Sequence, residues 1–158
     1  MAAPDRSDRF LFVLGTTLLV AYVAQAMLGL SWSTLAHLQT ERAYKLGSGV
    51  ALGTVLFYQW SVGTRRLVAP VGAVVRHKLV GALAPAALYL HACRFGYGYL
   101  ALLVWAYLGT LAIGLCQRPV VRLHARALFS LWFVLHVATS LAVLVLGGYH
   151  VVIALAYV

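Results

Sequence analysis

Acidic residues are nearly missing from this chain. Three Asp and Glu stand against twelve Lys and Arg in 158 residues. All three acids lie outside the apolar runs. That excludes paired catalytic carboxylates and a carboxylate-lined proton or cation path. Cysteine is scarce as well. Cys93 and Cys116 form no CxxC and no zinc-like pattern with the histidines, so they read as two ordinary thiols. No Gly-rich phosphate loop or nucleophile elbow occurs. Charge is thin overall: only 9% of residues are charged, too few to coat a soluble domain. The net charge of +9 would suggest nucleic acid in a soluble protein. Here the basic residues sit in short loops, with no basic stripe interleaved with exposed aromatics. They set topology and meet anionic lipid, and a nucleic-acid role is rejected.

What is present is apolar. Hydrophobic residues make up 63% of the chain. A membrane-spanning helix needs roughly 20 apolar residues. Five runs approach that length: Phe10 to Leu30, Leu46 to Gly63, His77 to Cys93, Tyr97 to Cys116, and His124 to Leu146. The expectation is an all-α membrane protein, one domain over residues 1–158, built as a bundle of five transmembrane helices. The first run is too long for a signal-peptide core and is read as a retained helix. Ser31 to Lys45 reads as a polar loop. Pro70 and Gly72 argue for a break before the third span, and Pro85 for a mild kink within it. Gly147 and Gly148 interrupt the fifth pattern. The last ten residues then extend that helix, fold back as a half-span, or pack on a partner. Nine of the twelve basic residues fall on one side, against Arg42, Lys45 and Arg94 on the other. That predicts an integral membrane protein, as in a bacterial inner membrane, with a cytoplasmic N-terminus.

The histidines carry the chemistry. Ionisable groups at membrane depth are costly, so each is a functional candidate. His77 and His91 are fourteen residues apart. On one helix they lie within about 40° of the same face and about 21 Å apart. His124 and His136 are twelve apart, or about 18 Å. Both helices run in the same direction. His77 then levels with His124, and His91 with His136 to within about 3 Å. Two stacked pairs of facing imidazoles suit bis-histidine ligation of haem iron. A twelve-residue step leaves His124 and His136 about 120° apart in azimuth, so a local bulge, or haems that contact slightly different faces, is needed. His136 and His150 would share a face on an unbroken helix, but depth favours His124. A later start or a strong tilt of the fifth helix would let His150 serve the outer site instead. The ordinary alternatives are a packed, hydrogen-bonded His91 or His136, and solvated loop histidines at His77 and His124.

At this point "HKLVGALAPAALYLH" and "RLHARALFSLWFVLH" resemble the two ligand helices of the ferric-reductase-like transmembrane family. The resemblance covers about His77 to His136. It implies that His77, His91, His124 and His136 are axial ligands of one or two haems b, so the metal is haem iron. The chain departs from the family in three ways. Its second spacing is one residue short. It has five clear spans and not six. No flavin or nicotinamide domain follows, so this chain alone is not expected to take a hydride.

The expected function is therefore that of a membrane cytochrome subunit, carrying electrons across the bilayer in a larger redox complex. The implied partners are other subunits of that complex, lipid, and a quinone or flavoprotein donor. Arg94, three residues after His91, would share its face and pair with a haem propionate, or else act as an interfacial anchor. Gly81 would admit a porphyrin or simply pack a helix. Thr139 and Ser140 are expected to bond back within their helix. Two other classes compete. One is a cofactor-free structural subunit anchoring a membrane complex. The other is a histidine-lined metal permease, which would converge its ligands on one depth and not two.

Overall fold

Backbone amides in an apolar stretch cannot turn to water, so they must pair within the stretch. The described residues answer with helices. The computed structural model describes residues 6–64, 71–117, 120, 123 and 125–157. Among these it contains six helices and no strand. Three of them, over Ser7–Met27, Gly72–His91 and Arg126–Ala156, are long and apolar enough to cross a membrane. The helices group into two compact units, Met1–Arg94 and Phe95–Val158.

The first unit holds α1 (Arg6–Met27), α2 (Ser33–Leu38), α3 (Arg42–Thr64) and α4 (Val71–His91). Helix α4 packs against both α1 and α3. Side-chain contacts give the directions. Asp8 meets Lys78 and Tyr22 meets Ala92, so α1 runs parallel to α4. Ser48 meets His91 and Gln59 meets His77, so α3 runs antiparallel. Helix α4 is the hub, and its packing surface is made of small residues. Ala82, Ala84 and Leu88 are buried, and Pro85 is fully buried. Proline at this position removes one intrahelical donor, yet α4 continues through it to His91. The turn after α1 needs Gly29, whose φ of 67° strains any other side chain.

The second unit is an antiparallel pair, α5 (Tyr99–Leu115) and α6 (Arg126–Ala156). Trp132 reaches Ile113 at one end, and Tyr99 reaches His150 at the other. Helix α5 is apolar but has only 17 residues. Helix α6 has 31, or about 46 Å of axial rise, well beyond a hydrocarbon thickness of about 30 Å.

Several predicted boundaries move. The stretch Ser31–Lys45 is not all loop: it contains α2, and α3 already starts at Arg42. Helix α4 starts at Val71, six residues before the expected start at His77. Arg76 and Lys78 are therefore inside it, and Lys78 pairs with Asp8 of α1. Of the readings open for the last ten residues, the helix extension is the one observed. Helix α6 passes through Gly147 and Gly148 without a break and ends at Ala156. A helical glycine costs about 1 kcal/mol relative to alanine. Breaking the ladder in an apolar setting costs several times that per unpaired group. The predicted break at Pro70 lies outside the described residues, and so do His124, Arg65, Arg66, Arg118 and Arg122.

Candidate functional site

The end of α4 is the most heavily hydrogen-bonded place in the first unit. The last carbonyls of a helix have no partner within it. In an apolar setting those acceptors need side-chain donors. Gln39, just after α2, donates through Nε2 to the carbonyls of Tyr89 and Leu90 at 2.8 and 3.0 Å. Its Oε1 accepts from the Cys93 amide at 3.0 Å. Tyr44 of α3 donates to the Leu90 carbonyl at 2.8 Å. From α1, Tyr22 donates to Ala92 at 3.1 Å and Gln25 to Cys93 at 3.0 Å. Gln25 also donates to the carbonyl of Leu30.

His91 stands inside this clamp. It is the last residue of α4. Its ring is partly buried. Nδ1 lies 3.0 Å from Ser48 Oγ. Gly49 lets α3 come close: a Cβ there would stand 3.3 Å from His91 Cε1 and 3.8 Å from Nδ1. Arg94 falls beyond the helix end, in the exposed turn that follows. The expectation that it shares a helical face with His91 therefore does not hold.

His77 is in the second turn of α4 and partly buried. Its carbonyl accepts from Gln59 Nε2 at 3.1 Å. That same nitrogen lies 3.2 Å from where a Cβ on Gly81 would be. Gly81 thus makes room for Gln59, which favours the helix-packing reading of this glycine. Lys78 pairs with Asp8 at 3.0 Å and ties α4 to α1.

In the second unit, His136 stacks on Trp132, with ring centroids 5.8 Å apart and planes 8° apart. Trp132 is held by its Nε1, which donates to the Ile113 carbonyl at 2.6 Å. A Cβ on Gly114 would lie 3.3 Å from His136 Cε1 and 3.8 Å from Nδ1. Ser140 Oγ donates to the His136 carbonyl at 2.6 Å, and Thr139 to that of Leu135 at 2.8 Å, the expected back-bonding. Toward the C-terminal end of α6, His150 Nδ1 lies 3.4 Å from the Tyr99 hydroxyl. Tyr99 packs edge-on to Tyr149 at 5.0 Å. His136 and His150 are fourteen residues apart on this one unbroken helix.

His37 sits on α2 and is exposed, as its polar surroundings suggested. Cys93 is buried, Cys116 is exposed, and both are free thiols. Sequence reasoning named the histidines but missed Ser48, Gly49, Gly114 and Gln39. The available signals were a hydroxyl and a glycine side by side in α3, and an amide just ahead of an apolar run.

Comparison with known protein families, with characterised proteins and with solved structures finds no match to this chain.

Proposed function

We propose that the chain is a membrane b-type cytochrome subunit. It carries electrons across the bilayer through one or two bis-histidine haems, as part of a larger redox complex. Its five spans are α1, α3, α4, α5 and α6, with the N-terminus on the cytoplasmic side of a bacterial inner membrane. One observation carries the reading. Helix α4 bears His77 and His91, helix α6 bears His136 and His150, and both separations are fourteen residues on an unbroken helix. Each pair thus lies within about 40° of one face and about 21 Å apart along its axis. Two ligand levels with one common spacing is what two stacked haems require. A helix α6 that begins at Arg126 supports His150 over His124 as its second ligand.

The residues fit such a group. Haem, when bound, supplies one-electron exchange at an iron held by two imidazoles. The chain supplies orientation. Ser48 and Gly49 set the ring of His91, and Trp132 and Gly114 set that of His136. Rings held from behind keep their aim while charge changes, which lowers the rearrangement needed per electron. The exterior supports a lipid setting: Leu131, Val134, Val137, Leu141, Val145 and Val152 of α6 all stay exposed. Electrons move between a quinone or flavoprotein and a partner subunit, in either direction.

The test is a dithionite-reduced minus oxidised spectrum of the purified protein, with haem quantified per chain. The reading expects a sharp b-type band and about two haems per chain. No haem after expression with ample haem supply overturns it, and leaves a cofactor-free anchoring subunit as the function.

A further inference from the structure

The Ser48 hydroxyl has two neighbours. Its Oγ lies 3.3 Å from the Lys45 carbonyl, one turn back on α3, and 3.0 Å from His91 Nδ1. A hydroxyl carries one proton and can accept more than one. The Lys45 carbonyl can only accept. Both contacts are hydrogen bonds in only one arrangement: Ser48 donates to Lys45, and His91 Nδ1–H donates to Ser48 Oγ. In a neutral imidazole the proton on Nδ1 leaves the lone pair on Nε2. Gly49 is what lets the two helices approach closely enough, since a Cβ there would press on the ring at 3.3 Å.

We infer that Ser48 is a positioning residue that sets the tautomer of His91, presenting Nε2 as the iron ligand. This rests on the haem reading above. The tautomer itself does not depend on haem. The hydrogen bond also gives the imidazole more electron density, which favours ferric over ferrous iron at that site.

The experiment compares wild type, Ser48→Ala and Ser48→Thr as full-length protein in detergent. Two readouts are taken: the nitrogen-15 spectrum of histidine-labelled protein before haem loading, and redox titration of the haem-loaded protein. The wild-type spectrum should show His91 protonated on Nδ1. Ser48→Ala should lose that preference, and Ser48→Thr should restore it. In the titration, Ser48→Ala should keep its haem but shift one component toward ferrous. The ferric-to-ferrous ratio should fall by about fivefold to tenfold at fixed potential, the worth of one hydrogen bond. The second component should stay put, and Ser48→Thr should titrate as wild type. An unchanged tautomer and an unchanged titration in Ser48→Ala overturn the inference. Wild type that takes up no haem overturns the proposed function instead, and the nitrogen spectrum alone then decides the tautomer.

Discussion

Gly114 of α5 faces His136 of α6 so closely that a Cβ would stand 3.3 Å from the ring. Gly49 of α3 faces His91 of α4 at the same 3.3 Å. In each unit an antiparallel neighbour offers a bare backbone where an imidazole has to sit.

That relation predicts a graded response to size. Gly114→Ala forces the ring to give by a few tenths of an ångström, and Gly114→Val by more. Overpacking of this kind costs about 1–3 kcal/mol. Gly114→Val should unfold earlier in detergent melts and bind less haem than wild type, with Gly114→Ala between them. Gly53 is the control, because nothing lies within 4 Å of its Cβ position. Gly53→Ala should be neutral or more stable by up to about 1 kcal/mol, from helix propensity alone. Equal losses at Gly53 and Gly114 would mean the close approach has no special role.

The clamp on α4 makes a second prediction. Gln39→Leu strips donors from the carbonyls of Tyr89 and Leu90 and the acceptor from the Cys93 amide. Leaving such groups unmet costs about 1–3 kcal/mol. Tyr44→Phe removes one donor from Leu90, whose carbonyl keeps Gln39, so it should cost about 1 kcal/mol or less. Denaturant titration of the two variants should rank them in that order. The reverse order would show that the clamp is not centred on Gln39.

The Asp8–Lys78 pair should matter little to stability. Its side chains remain 41% and 30% exposed, so solvent screens the attraction. Exposed pairs are worth about 0–1 kcal/mol. Asp8→Asn should lower the melting point slightly at low salt and leave it unchanged at high salt. A loss that persists at high salt would contradict screening by solvent.

These sites divide into what local sequence encodes and what it does not. Apolar run length gave the positions of α1, α3, α4, α5 and α6, because the helical ladder is forced wherever water is absent. The ends were harder. Arg76 and Lys78 looked like loop residues, yet both lie inside α4. Gly147 and Gly148 looked like a break, yet no better partner exists for their amides than the helix itself. His77, His91 and His136 were legible because an imidazole in an apolar run needs a reason. Ser48, Gly49, Gly114 and Gln39 were not, because their roles depend on which helix packs opposite. That choice is made by side chains 19 to 54 positions away, and periodicity does not record it.

The last prediction concerns which residue completes the proposed haem-ligand set on α6. The sequence expectation put His124 with His136, twelve residues apart and out of azimuth by about 120°. The unbroken helix from Arg126 to Ala156 offers His150 instead, fourteen residues on and within about 40° of the same face. Tyr99 meets its Nδ1 at 3.4 Å, a contact of the kind Ser48 makes to His91. His150→Ala should therefore remove about one haem of two, and His124→Ala should keep both. Haem quantification after purification of the two variants, with His136→Ala as the reference for a lost ligand, decides between them. Loss of haem in His124→Ala with full retention in His150→Ala would return the ligand to the earlier histidine. It would then require a bend in the chain before Arg126 to bring that imidazole onto the face of His136.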